Sequence, residues 1–163
     1  MGRKMRPCFW GVFNMRKIAM IAAALVLGTA ITVHAASPTE QVEARKKNFK
    51  QIGGAMKASG DSFKSGTPDV ALLKTNAAIV AGFADKLGTW FPAGTAVGVG
   101  KSEAKAEIWT DKAGFAKAVA DFSAAAKGYK AAADTGDLAA TAKAMGALGG
   151  TCKGCHEKFR QKD

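Results

Sequence analysis

Near its C-terminus the chain carries Cys152-Lys153-Gly154-Cys155-His156, and the rest of the fold has to be built around that run. A C-x-x-C-H pattern reads as a covalent attachment site for a c-type haem. Two thiols add across the two haem vinyl groups, and the neighbouring imidazole becomes the axial ligand of the iron. Residues on a helix advance by about 100° each, so Cys155 and His156 come back to the face that Cys152 occupies. A helix through this segment therefore presents both anchors, Cys152 and Cys155, and the metal ligand, His156, on one side. The expected cofactor is one covalent haem c per chain.

Other uses of a cysteine pair fit less well. A thioredoxin-like C-x-x-C sits near a βαβ pattern, and no strand-rich unit is visible in this sequence. A structural zinc site takes four ligands, usually as two pairs. The other His and Cys are His34 and Cys8, and both lie in a segment expected to be removed.

That segment is residues 1–35, which have the form of a secretory signal. Arg3, Lys4, Arg6, Arg16 and Lys17 make the basic region, Ile18 to Ile31 the apolar one, and Val33-His34-Ala35 leads to a cut before Ala36. The apolar stretch is short for a membrane span, so a cleaved signal is preferred to an anchor helix. Met15-Arg16-Lys17 would make a compact start by itself, which makes Met15 a second candidate initiator. The signal implies export, with the periplasm as the expected compartment. The mature chain, 36–163, has the length of one domain.

Removing residues 1–35 takes away five Lys/Arg and no acid, so the formal charge falls from +11 to +6. The remaining lysines are spread along the chain without a run of five, so no nucleic-acid tract is indicated. An exported chain whose only remaining cysteines are Cys152 and Cys155 fits thioether attachment better than a disulfide framework.

Punctuation divides the mature chain into four helices. The first opens at Ser37-Pro38-Thr39-Glu40, a capping box with proline at the first helical position. Its apolar line is Val42, Phe49, Ile52 and Met56, and Gly53-Gly54 suggests close approach by another group. The second opens at Thr67-Pro68-Asp69 by the same cap-then-proline logic, continues through Val70, Leu73, Ala77, Val80, Ala84 and Leu87, and ends at Gly88. The apolar loop Thr89 to Gly100, with Trp90 and Phe91, is expected to lie over the core. The third helix is expected from about Ala104 to Ala133, with Ile108, Phe115, Phe122 and Tyr129 every seven residues. The fourth carries Leu138, Met145, Cys152 and Phe159 at the same interval. Seven-residue spacing is that of a bundle seam, so the haem anchors occupy core positions. The expected fold is all-α, an antiparallel up-down-up-down four-helix bundle with the haem inside it.

With these residues in hand, the mature chain resembles the cytochrome c′ family of exported bacterial haem proteins, a class II group of c-type cytochromes. The resemblance rests on Cys152-x-x-Cys155-His156 with Phe159-Arg160 near the C-terminus, Glu107-Ile108-Trp109, Leu87-Gly88-Thr89-Trp90-Phe91 and Arg45-x-x-x-Phe49. It implies His156 as proximal ligand, the first helix across the opposite haem face, and Phe49 facing the second iron position. It also implies Arg45 near a haem propionate, Arg160 beside the proximal imidazole, and dimers formed through the first two helices. Arg160 has a second reading, as a surface cation at a helix C-terminus. Trp90 and Trp109 are read as core residues that can also touch the haem edge.

Phenylalanine has no lone pair to donate, so Phe49 implies a five-coordinate, His-ligated iron that binds NO and CO and can pass one electron. The alternative is a low-spin, cytochrome c556-like electron carrier with Met56 as sixth ligand. An enzyme, such as a weak peroxidase, ranks last for want of a distal His or Arg base. The expected partners are NO and CO, an unidentified redox partner and a second copy of the chain. Neither nucleic acid nor, after cleavage, a membrane anchor is expected.

Overall fold

The computed structural model describes residues 36–161. The expected signal segment, 1–35, lies outside the described residues, as do 162 and 163. Helices α1 (Pro38–Lys64), α2 (Val70–Ala84), α3 (Glu107–Thr110), α4 (Lys112–Thr135) and α5 (Leu138–Phe159) follow in order, with a 3₁₀ turn at Leu87–Trp90. The four long helices form the antiparallel up-down-up-down four-helix bundle. No described helix is long and apolar enough to cross a membrane.

The first helix starts where its capping box places it. Glu40 N–H donates to Ser37 Oγ at 3.3 Å and Ser37 N–H to Glu40 Oε2 at 2.6 Å, with Pro38 entering the first turn. The second starts later than its sequence suggested. Asp69 Oδ1 accepts from Ala71 N–H at 2.8 Å and from Leu72 N–H at 3.1 Å, so Asp69 is the cap and Pro68 stands outside the helix. It also ends earlier, at Ala84, and Leu87 and Gly88 belong to the 3₁₀ turn.

The expected third helix is two. Asp111 adopts φ −105° and ψ 66°, which interrupts the helical path, and its Oδ1 accepts from Gly114 N–H at 2.9 Å to cap α4. An aspartate that can satisfy an orphan N–H at a helix start favours such a break. Gly136, at φ 79°, closes α4 in the left-handed conformation that glycine adopts without strain.

Helix α1 packs on α2, α2 on α4, and α4 on α5. The main core joins Ala77, Val80 and Ala84 of α2 to Phe122, Ala126, Tyr129 and Ala133 of α4, with Leu148 of α5 and Ile52 of α1. Burying a Leu or Phe side chain contributes roughly 1.5–3 kcal/mol, so this seam carries much of the bundle. A smaller cluster, Ala104, Ile108, Phe115 and Phe159, closes one end. The apolar loop covers the core as expected. Trp90 packs edge-on against Phe83 and Phe49, with centroids 5.5 and 5.3 Å apart, and Phe91 against Phe115 at 5.0 Å.

Helices α1 and α5 are the exception to the close packing. Their side chains meet at Gly60 and Met145, where an added glycine Cβ would stand 3.5 Å from the Met145 methyl. Farther along, a cavity separates them.

Candidate functional site

The cavity has a volume of about 620 Å³ and is walled mainly by apolar side chains. That is within the ~300–1,000 Å³ of small-molecule and cofactor sites. Helix α1 supplies Arg45, Phe49, Ile52, Gly53 and Met56; α4 supplies Phe115, Ala118 and Phe122; and α5 supplies Gly149, Cys152, Cys155, His156 and Phe159. The loop between α2 and α4 adds Phe91 and the segment Lys101–Ala104, and Arg160 follows α5. All six residues singled out from the sequence, Arg45, Phe49, Cys152, Cys155, His156 and Arg160, thus line one space.

The seven-residue seam of α5 explains the geometry. Leu148 and Phe159 are buried, whereas Cys152 and Cys155 are half-buried because their face opens on the cavity instead of on a neighbouring helix. Across the space, Gly53 and Gly149 leave room: a Cβ added at either would meet nothing within 4 Å.

Burial pushes both thiols up from the ordinary cysteine value, and at Cys155 the neighbouring Cys152 adds to the effect. Neither thiol is in a disulfide. Partial desolvation and, after it, the Arg160 cation lower the His156 imidazole, while the Glu103 carboxylate opposes them. A neutral imidazole is the form that coordinates a metal. Among the described residues no group of three or more His, Cys, Asp and Glu is placed to hold a metal ion by itself.

Arg45 is only 5% exposed. Its Nη1 donates to Trp90 O at 3.3 Å and Thr95 Oγ1 at 3.1 Å, and its Nη2 to Thr95 O at 3.0 Å and Ser102 Oγ at 2.9 Å. The guanidinium carbon lies 4.5 Å from the Phe91 ring centroid. Burial lowers its pKa, and among the described residues no carboxylate lies within 4 Å of it. Arg45 therefore organises the loop over the cavity, and its charge is met there by neutral oxygens. Burying a cation is costly, and these four hydrogen bonds to neutral oxygens offset part of that cost.

Phe49 is braced by Trp90 and Phe91. Trp109 stands behind the wall and donates its indole N–H to Phe91 O at 3.1 Å. Arg160 Nε donates to Glu103 Oε2 at 2.5 Å. The part of Glu103, Ser102 and Thr95 in the site had no periodic signal in the sequence, because their positions follow from an irregular loop folding back on α1 and α5.

The chemistry of this donor set suits a large, flat, apolar group. Two thiols and an imidazole lie on one helical wall, with aromatic and glycine surface facing them and cations near the opening. Fold and wall together define a class: four-helix-bundle carriers of covalent haem.

The chain belongs to the cytochrome c′ family, whose model, described as Cytochrome C′, matches residues 40–160. Cytochrome c′ of Pararhodospirillum photometricum is 43% identical over 126 residues, covering 77% of this chain and all of that protein. A solved cytochrome c′ described as having ligand-controlled dimer dissociation aligns with a TM-score of 0.75 at 30% identity, over 79% of this chain and all of its own. A variant of the Alcaligenes xylosoxidans protein, solved in the ferrous state with bound NO, aligns with a TM-score of 0.71 at 28% identity, over 80% of this chain and all of its own. Another variant of that protein was solved with carbon monoxide bound. Haem c is accordingly the cofactor of this family and of this chain.

Proposed function

We propose that the mature chain is an exported, periplasmic haem protein that binds NO and CO and can also pass single electrons. Cys152 and Cys155 would anchor one haem c, and His156 would supply the ligand to its iron. When bound, haem c would supply an iron able to take a small gaseous ligand, and His156 is the residue that would hold that iron. Phe49 lines the cavity wall across from α5, braced by Trp90 and Phe91, and has no lone pair to offer a metal. The Nη1 and Nη2 groups of Arg45 are already donating to the loop. An apolar wall without a free donor disfavours dioxygen, which takes up negative charge when bound, and favours NO and CO.

The single observation that carries this reading is the placement of Cys152, Cys155 and His156 in one cavity wall with Phe49 in the lining across from α5. Optical spectra of the ferric and ferrous protein, with and without NO, test it. A high-spin five-coordinate spectrum that changes on adding NO is expected. A stable ferrous O₂ complex would overturn it.

A second reading has its own observation: Met56 lines the same cavity. A sixth thioether ligand from Met56 would make the iron low-spin and the chain a carrier of electrons alone. A ferric methionine-to-iron absorption band in the wild type, lost on Met56→Leu, would establish it.

The homodimer expected from the family has a matching surface. Leu72 and Ile79, seven residues apart on α2, are 36% and 39% exposed, and two-fold pairing of such a face is the common route to a dimer. Sedimentation of wild type against Leu72→Lys/Ile79→Lys measures it. A wild type that sediments as a monomer at all concentrations would remove the dimer.

A further inference from the structure

The segment just before α3 is stapled to the end of α5. Lys105 N–H donates to Phe159 O at 3.0 Å, and Gln161 N–H donates to Glu103 O at 2.8 Å. They set Ala104 opposite Arg160 as an isolated antiparallel bridge. The staple sits four residues past His156, about one helical turn along the same face. On it, the Glu103 carboxylate accepts the 2.5 Å hydrogen bond from Arg160 Nε. Glu103, His156 and Arg160 all line the cavity. An arginine at a helix end otherwise keeps many rotamers. The backbone bridge fixes where Glu103 can be, and Glu103 fixes where the guanidinium can be.

We propose that Glu103 is the positioning residue on the His156 side of the site: it holds the Arg160 guanidinium beside the imidazole and balances its charge there. The proposal rests on His156 being the axial ligand. One is a cation and the other an anion, and both border the same cavity as the imidazole. Removing the carboxylate leaves an uncompensated cation near the iron. That favours the reduced metal, which carries one positive charge less. Removing the cation does the reverse.

The test is optical redox titration of the haem-loaded wild type, Glu103→Gln, Glu103→Asp, Arg160→Gln and the double variant Glu103→Gln/Arg160→Gln. The reduction potential should rise in Glu103→Gln and fall in Arg160→Gln. The double variant should lie between them, and Glu103→Asp should stay near wild type. The shifts should shrink as salt is added, because both side chains are partly exposed. A purely structural role predicts otherwise, since loosening the strap would move every variant in the same direction. A potential in Glu103→Gln equal to or below wild type overturns the proposal. If Glu103→Gln loads haem poorly, the double variant is compared with Arg160→Gln: a higher potential in the double supports the proposal, and an equal or lower one overturns it. A wild type with no covalent haem spectrum refutes the axial-ligand reading instead, so the two failures are separable.

Discussion

The Tyr129 hydroxyl of α4 donates a hydrogen bond to Ser59 Oγ of α1 at 2.9 Å, and the Ser59 hydroxyl in turn donates to Ala55 O at 2.9 Å. Both side chains are fully buried. The link ties α1 to α4 across a core that is otherwise apolar, on a helix that stands apart from α5 where the cavity opens. It holds one wall of the site at a fixed distance from the other without entering it.

Two substitutions at this link should differ. Tyr129→Phe removes the donor but leaves Ser59 bonded to Ala55 O, so the cost should be about 1 kcal/mol. Ser59→Ala leaves the Tyr129 hydroxyl buried without its acceptor, so the cost should be larger, roughly 1–3 kcal/mol. Urea unfolding midpoints of the two variants rank them. An unchanged midpoint for Ser59→Ala would show that the hydroxyl finds another partner.

Phe49 should govern entry to the iron. Phe49→Ala removes the T-shaped contact with Trp90 and the tilted one with Phe91, each contributing about 0.5–1.5 kcal/mol beyond area burial. The expected result is faster CO association at the ferrous protein together with a modest loss of stability. Phe49→His adds a nitrogen donor to the same position and should convert the spectrum to six-coordinate low-spin. Stopped-flow CO binding and the ferric spectrum measure both. A CO rate that is the same in wild type and Phe49→Ala would place the barrier elsewhere.

Much of this site could be read from residue order, because helices repeat. The seven-residue lines put Phe115, Phe122 and Tyr129 in the core and Cys152 on the face of α5 that meets the cavity, and all four are found there. Asp111 was missed as a break because Ile108 and Phe115 keep the period on both sides of it, so the apolar pattern runs through a chain that does not. Asp69 was missed as a cap because proline at the preceding position imitates the start of a helix. The acceptors of Arg45 were out of reach for another reason. Thr95 and Ser102 lie 50 and 57 residues away in a loop with no period, and only the folded chain brings them together. The same holds for Glu103, whose partner Arg160 comes from the far end of the sequence.

The haem-free protein should react slowly at its two cysteines. Burial raises both thiols from their ordinary value, which keeps them protonated to higher pH, and the thiolate is the reactive form. Iodoacetamide labelling of folded, haem-free chain should therefore be slower than labelling of the same chain in urea. Its rate should also climb at a higher pH than for an exposed cysteine, about 8.5. Equal rates and equal pH profiles in the two states would mean that the α5 wall does not shield the thiols before haem is attached.

Acid should loosen the junction between α4 and α5. Asp111 caps α4 through Gly114 N–H and pairs with Lys158 of α5 at 2.5 Å. The Lys158 bond first, and the Gly114 N–H second, hold its carboxyl below the usual carboxylate range. A carboxylate whose folded pKa lies below its unfolded one, about 3.9, stabilises the fold above that value. The contribution is lost as pH falls toward the folded pKa. Asp111→Asn keeps the shape but not the charge, so its melting temperature should lie below that of wild type at neutral pH and converge with it in acid. Gly114→Ala should lower stability at every pH, because a Cβ there would collide with the Asp111 carboxylate and the Lys158 ammonium. Melting temperatures of the three proteins between pH 2 and 7 decide the matter. A constant gap between Asp111→Asn and wild type over that range would rule out the carboxylate as an acid-sensitive clasp.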